Sequence, residues 1–333
     1  MGINPTGAVV NPKDFVHLHV HDHFSLLDGA MKIPDLVSRV KTLGMPAVAE
    51  TNHGNLYGSI EFYKECRKQG VKPILGCEVY VTDNPDNTPQ EQKVKDNRHM
   101  VLLCMNQTGW RNLIWMINQA NLYNFYYKPR IWWGHLLTHN EGLIATSACL
   151  AGVVARRLDT EKGIRGFLYD KETKTAQDTQ GEGKRRVLEL KHIFGDRFYL
   201  EIQPHDMWEV REFNKWDIST ARENDISLVL TTDAHYLTAE DAPTHSFLMA
   251  QQLKMTFTDY KSSGVLSYNG KFYIREQEEM FREAVKLGVE QAFWNTIEIA
   301  ERCNLEIPIR KYQIPFYDIT KAEDYDEFLQ SSR

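Results

Sequence analysis

Residues 17–24 read HLHVHDHF, with imidazoles at His17, His19, His21 and His23. On a regular strand, side chains alternate between two faces, so all four rings would share one. Two convergent imidazoles already suit a transition metal, and the His17-x-His19 pair is the expected nucleus of such a site. Further donors stand at or near the ends of other apolar runs: His53 in TNHGN, Glu78 in GCEVY, Cys149 in TSAC, and Asp233 with His235 in TTDAHY. Taken singly, each has a plain explanation. Asp233 and His235 fit a polar turn, Cys149 a small buried filler and Glu78 a solvated strand residue. Their recurrence at the same end of several strands points to a shared site. His99 fits this pattern less well, because it opens its run.

The elements that must position these groups are a series of short apolar runs alternating with stretches of helical period. The runs are FVHLHV (15–20), PAVAET (46–51), PILGCEVYVT (73–82), HMVLLCM (99–105), GLIATS (142–147), FYLEIQ (198–203) and ISLVLTT (226–232). Between the first two, Pro34 suits a first helical turn, Ile33, Leu36, Val37, Val40 and Leu43 form one apolar stripe, and Gly44 suits the stop. Repeated strand–helix units favour a parallel sheet, and this number at this length favours a closed or nearly closed barrel with its site where the strands end. Residues 159–183 are polar and without stable period, and read as a surface insertion carrying a small hairpin. A second hairpin is expected in GVLSYNGKFYI with its turn at Asn269–Gly270, followed by a helical part within 272–307. Residues 1–14 read as an N-terminal extension and 308–333 as a linker.

Bulk properties narrow the chemistry. The chain has 333 residues, 42% hydrophobic and 25% charged, with a formal net charge of −6. No overall basic footprint is present for non-specific nucleic-acid binding, so phosphate must be held locally. The five cysteines are scattered without a CxxC pair, as free thiols in a reducing compartment would be. With no apolar stretch of signal-peptide or membrane-spanning length, the expected location is the cytoplasm, away from membranes. Local cations stand in NFYYKPRIWW, where Lys128 and Arg130 beside Tyr126 and Tyr127 suit gripping a backbone phosphate while an aromatic ring stacks on a base. A buried aromatic anchor flanked by solvated charges is the alternative. The pair Arg156 and Arg157 and the KRR at 184–186 read as solvated helix charges, and His205 with Asp206 as candidates for the rim.

The stretches FVHLHVHDHFSLLDGAMKIPDLV, TNHGNLYGSIEFYKECRKQGVKPILGCEVYV, HMVLLCMNQTGWRNL, FYYKPRI, GLIATSACLAGVVA, TTDAHYLTAEDAPTH and NTIEIAERCNLEI closely resemble one known family. It is the N-terminal PHP (polymerase and histidinol phosphatase) domain of the alpha subunit of bacterial DNA polymerase III. The resemblance runs from about residue 15 to about 307. It implies an α/β fold, a distorted seven-stranded βα barrel with a metal cluster at its mouth. Carried over by position, the family's ligands fall on His17, His19, Asp28, His53, Glu78, His99, Cys149, Asp233 and His235, so no ligand type is lost. His17, His19, Glu78 and Asp233 would hold one ion and its catalytic water. Glu78, His99 and Cys149 would hold a second, and Asp28, His53 and His235 a third. His21 matches a family position expected to contact substrate or ligands, with His23 outside the site. Lys128, Arg130 and Tyr127 are the expected substrate contacts. Three departures stand out: Asn52 replaces a common aspartate, Trp132 a common acidic residue, and Asp22 and His23 add polar groups at variable positions.

Two or three divalent ions, zinc or manganese or iron, suit this donor mix better than magnesium. Such ions lower the pKa of a bound water and orient it for attack on a phosphoester. The implied activity is a 3′→5′ exonuclease acting on a DNA 3′ end, single-stranded, in a proofreading role beside the remaining polymerase domains or subunits. Two alternatives stand beside it: a non-catalytic module in which metals stabilise a docking domain, and a small-molecule phosphatase of the histidinol-phosphate type.

Overall fold

The structure is a computed structural model that describes residues 15–156, 158–160, 163–263 and 271–309, with two short paired segments at Gly2–Ile3 and Val9–Val10. Six of the seven expected strands form, as Ala47–Glu50, Lys72–Thr82, Arg98–Cys104, Leu143–Thr146, Phe198–Ile202 and Ser227–Leu230. They pair side by side in that order into a curled sheet. The remaining run, 15–20, is extended without being a regular strand, and it spans the gap between the first and last. His17 bridges Val48 and Val20 bridges Ala234, both in parallel. Hydrogen bonds from Ala49 N to His17 O (2.9 Å) and from His21 N to Ala234 O (2.8 Å) close the ring.

One strand departs from the parallel barrel. Arg98–Cys104 is antiparallel to both neighbours, while the pairings of 47–50 with 72–75, 198–199 with 145–146 and 199–202 with 227–230 are parallel. The cause lies in the preceding connection. A parallel return needs a crossover, usually helical, and residues 83–97 hold only the short turn Gln90–Gln92. The start of this reversed strand therefore shares an end of the sheet with the ends of its neighbours. His99 pairs with Tyr80 there, two residues beyond Glu78.

Helices cover the outside. Ile33–Thr42 buries Ile33, Leu36, Val37 and Val40 with Pro34 in its first turn, and Ser59–Gln69 ends at Gly70 in the left-handed region (φ 77°), where a side chain would be strained. Alternate strand residues face this layer or the interior. Leu75, Cys77, Leu102, Leu200 and Leu230 belong to the large outer core. Ile74, Val101, Leu103, Ile144, Tyr199 and Val229 form a separate inner apolar layer, closed by Ile299, Ala300 and Cys303 of the helix Glu290–Arg302. Two or four residues further along each strand, toward the same end of the barrel, the inner positions turn polar: Glu78, His99, Thr146, Glu201, Thr231 and Asp233. Burial of the apolar layer fixes the height of the polar ring above it.

The insertion forms a three-stranded antiparallel sheet of Leu158–Thr160, Gly163–Asp170 and Thr175–Thr179. It is anchored by the fully buried Phe167, edge-on to Phe213 (5.0 Å) and Trp216 (4.8 Å). The turn expected at Asn269–Gly270 and nearly all of the 308–333 segment lie outside the described residues. Among the described residues, no helix is long and apolar enough to cross a membrane.

Candidate metal centre

The chain bends at His19, and the bend undoes the even spacing of the histidines. Before it, Val16 and Leu18 face the interior and His17 faces the helix layer. There its Nδ1 meets Thr232 Oγ1 at 3.1 Å and its Nε2 meets the Arg275 carbonyl at 3.0 Å. Burial pushes its pKa down to about 4, so it is a neutral ring with both nitrogens committed. After the bend, Val20 joins the outer core while His19 and His21 turn inward. The expectation for His17 is thereby corrected. His21, expected only as a substrate contact, stands among the ligand atoms instead, and His23 is exposed.

His19 Nε2 lies 3.3 Å from Glu78 Oε1 and 3.2 Å from Asp233 Oδ1. His21 Nε2 lies 3.2 Å from the same Asp233 oxygen and 3.6 Å from Glu78 Oε2. All four of His19 Nε2, His21 Nε2, Asp233 Oδ1 and Glu78 Oε2 are buried without a hydrogen-bond partner. Donors about 2.0–2.1 Å from one tetrahedral ion stand about 3.3 Å apart. The spacing of these atoms fits ligands of a shared divalent ion better than a set of hydrogen bonds.

Two further groups adjoin. Glu78 contacts His53 Nδ1 at 2.5 Å and His99 Nδ1 at 2.9 Å, with Cys149 Sγ 3.9 Å from the latter nitrogen. Asp28 Oδ2 contacts His53 Nε2 at 2.9 Å and His235 Nε2 at 3.6 Å. Three triads have ligand atoms within 4.8 Å of one another: His19, His21 and Asp233; His53, Glu78 and His99; and His21, His53 and His235. Glu78 touches members of all three. Of the nine expected ligands, the structure brings together all except His17, with Cys149 at the margin.

The electrostatics follow from burial opposed by neighbours. Burial raises a carboxylate's pKa, yet His99, His53 and His19 hold Glu78 well below the usual range, and His235, His245 and His53 do the same for Asp28. Burial lowers a histidine's, yet Asp233, Glu201 and Glu78 raise His19 well above its ordinary value, and Glu78 with Asp28 pushes His53 up to about 10. His21 falls to about 3, through burial and the charges of His53 and His235. The carboxylates demand compensating positive charge, and imidazole lone pairs are within reach to hold it as an ion.

Tautomers are set from outside the cluster. Glu201 Oε1 accepts from His19 Nδ1 at 2.7 Å, which leaves the Nε2 lone pair pointing inward. Ser25 Oγ donates to Asn52 Oδ1 (2.7 Å), so it must accept from His21 Nδ1 (2.9 Å), with the same result for that ring. Asn52, which replaces the family's common aspartate, also donates to Asp22 Oδ1 at 2.9 Å. A carboxylate is thus present at Asp22 where the sequence shows an amide at 52. Backbone strain marks the site as well: Leu27 (φ 62°), Ala148 (φ 59°) and Asp233 (φ 50°) are left-handed without being glycine. Gly29 follows Asp28 because a Cβ there would stand 1.9 Å from the Asp22 carbonyl.

A family model described as "PHP domain" matches residues 17–205. The chain belongs to the PHP domain family. Proteins named DNA polymerase III subunit alpha are 37% identical to it: over 329 residues in Aquifex aeolicus (96% of this chain, 27% of that protein), over 323 in Helicobacter pylori J99 (95% and 26%) and over 325 in Thermus aquaticus (95% and 25%). The chain spans about a quarter of the length of these relatives. Among solved structures, an amidohydrolase from Chromobacterium violaceum is a distant likeness, with a TM-score of 0.41 and 12% identity over 66% of this chain and 87% of that one.

The PHP domain's cluster opens onto a cavity of about 510 Å³, with Tyr57, Phe125, Tyr127, Lys128 and Arg156 at its rim. The three aromatic residues are exposed. Arg130 does not reach this mouth, contrary to expectation. It is fully buried, and its guanidinium donates to Val94 O (2.8 Å), Asn124 O (3.3 Å) and Asn124 Oδ1 (3.1 Å), acceptors a planar fork satisfies together. Arg156, expected as a solvated charge, instead lines the mouth and donates to the Asn97 carbonyl. His205 is buried and stacked on Phe272 at 3.9 Å, and Asp206 pairs with Lys271 at 2.7 Å.

Sequence reasoning missed two residues of this PHP domain. Glu201 carries a signal, a carboxylate inside the apolar run FYLEIQ two positions from the inward Tyr199. His245, whose Nε2 is 3.6 Å from Asp28 Oδ1, comes from the helix Ala242–Gln252 and carries none.

Proposed function

We propose that this PHP domain is a divalent-metal-dependent phosphoesterase that removes nucleotides from the 3′ end of single-stranded DNA, as part of a polymerase III alpha chain. The observation that carries the reading is the meeting of eight ligand residues, His19, His21, Asp28, His53, Glu78, His99, Asp233 and His235, in one cluster, of which Asp28, His53, His99, Asp233 and His235 line an open cavity with cations and exposed aromatics at its rim. Zinc, manganese or iron held there would supply Lewis acidity and an activated water for hydrolysis. The chain's own residues do the remaining work. His19, His21 and Asp233 would hold one position and Glu78 with His53 and His99 the next, with Glu78 also 3.3 Å from His19 Nε2 and 3.6 Å from His21 Nε2 of the first set. Asp28, His53 and His235 supply a third. Lys128 and Arg156 at the rim meet backbone phosphate, and Tyr57, Phe125 and Tyr127 give bases a stacking surface. The relatives' name, DNA polymerase III subunit alpha, supports a setting beside polymerase domains, where a 3′ end would be at hand.

The test is degradation of 3′-labelled single-stranded DNA by purified chain loaded with zinc or manganese, with metal content read by mass spectrometry. Metal-dependent shortening, abolished by Asp233→Asn, is expected. Bound metal without shortening, or equal shortening by the variant, would refute the reading, and the first result would favour a metal-stabilised docking module.

A further inference from the structure

Beside the metal centre lies a second, smaller cavity of about 230 Å³ that the phosphoester chemistry does not use. Its wall is apolar, made by Met207, Val210, Met249, Leu253 and Phe272. It adjoins the main cavity, with which it shares the lining residues Cys149, Ala151, Asp233 and Met249. One wall is therefore a residue of the metal centre itself. An apolar recess that shares a wall with a charged cluster suits an apolar part of the group that the cluster binds.

The recess is large enough to admit a nucleobase. Position limits the occupant further. A phosphodiester at the ligand atoms has its sugar and base one residue to either side, and the recess shares Cys149 and Asp233 with the metal centre, whereas Tyr57, Tyr127 and Lys128 line the main cavity and not the recess. Phe272 presents a ring to it, backed by the His205 ring stacked at 3.9 Å. Met207 and Met249 add flexible apolar side chains that adapt to different ring outlines.

We propose that this recess seats the base of the 3′-terminal nucleotide, while the rim aromatics carry the bases that precede it. The inference rests on the phosphoesterase reading and adds to it the place of the leaving nucleotide. Sequence tolerance follows, since an apolar slot grips the face of every base and reads no edge. A strand whose last nucleotide is paired cannot enter, so single-stranded or frayed ends are selected.

The test compares two oligothymidylates on the metal-loaded full chain, one natural and one ending in an abasic nucleotide. Stacking worth about 1–3 kcal/mol per base predicts kcat/KM about 5- to 150-fold higher for the natural end. Binding is read separately, by fluorescence anisotropy of both strands on Asp233→Asn, and should show the same ranking. Met207→Trp, at a half-buried position, fills the slot and should bring the ratio of the two substrates close to one, with its circular dichroism and melting temperature reporting that it folds. Equal kcat/KM and equal binding for the two ends, with both hydrolysed, would overturn the base recess and leave the phosphoesterase standing. Hydrolysis of neither end would overturn both.

Discussion

Glu201→Gln is the sharpest probe of the metal centre, because it changes one charge and almost no volume. Oε1 of Glu201 accepts from His19 Nδ1 (2.7 Å), Thr231 Oγ1 (2.6 Å) and Gln203 Nε2 (2.9 Å), and Oε2 accepts from Thr146 Oγ1. With three donors on one oxygen, a glutamine must keep its carbonyl there and turn its amide toward Thr146, whose hydroxyl rotates to accept. The His19 ring keeps its place and tautomer but loses a charged acceptor. A hydrogen bond to a charged group is worth about 1.5–3 kcal/mol against about 0.5–1.5 for a neutral one. The difference of roughly 1–1.5 kcal/mol corresponds to about 5- to 15-fold weaker metal binding, at the low end of the tenfold to hundredfold usual for partners of ligating histidines. The assay is competition against a chromophoric zinc chelator at fixed pH, with the stoichiometry of each site resolved. Only the position held by His19, His21 and Asp233 should weaken. Unchanged affinity at that position in a folded variant, or equal weakening at every position, would show that Glu201 does not act through His19.

Three further outcomes follow from the structure. Arg130→Ala strips buried carbonyls of Val94 and Asn124 of their donor and should cost about 2–4 kcal/mol, read from the urea midpoint, while KM for DNA stays put; a tenfold rise in KM at unchanged stability would return this residue to phosphate binding. Asp217 is fully buried with no hydrogen-bond partner for either oxygen, and burial, followed by the charge of Glu201, pushes its pKa well above the usual carboxylate range. Because the folded value is the higher, the stability it contributes is complete below the unfolded value near 3.9 and is lost as pH rises toward the folded one, at about 1.4 kcal/mol per unit; Asp217→Asn should flatten melting temperature against pH in that window and raise it at neutral pH. Removing metal with a chelator should lower the melting temperature by roughly 6 °C if ions are normally present at ~1,000 times their Kd, and a thermogram indifferent to chelation would contradict occupancy in solution.

The barrel strands were legible because they are buried on both faces, and such strands read as nearly continuous apolar runs. Strand direction was not, since it is a property of the connection. The one visible trace was His99, a ligand type at the wrong end of its run, together with the absence of helical period in residues 83–97. Both were signs of the reversed strand. Residues 15–20 defeated the reading differently. Period two holds only while the backbone is regular, and nothing in HLHVHDHF announces a bend at His19, which is imposed by pairing with Val48 on one side and Ala234 on the other. Arg130 was misread because a guanidinium that caps buried carbonyls and one that grips phosphate use the same donors, and only the fold tells which acceptors are near. The amide at Asn52 looked like a lost carboxylate, when Asp22, thirty residues away and in contact, supplies one.

The extended segment 15–22 has a consequence beyond the ligands it carries. An uncovered sheet edge is a template on which other chains pair. Ala47–Glu50 and Ser227–Leu230 would be two such edges if this segment did not bond to the backbone beside both. The same few residues therefore present His19 and His21 to the metal and keep the sheet from sticking to its neighbours. Ions held by His19 and His21 would tie down the strip that seals the barrel, so metal starvation should show itself as aggregation as well as loss of the proposed activity.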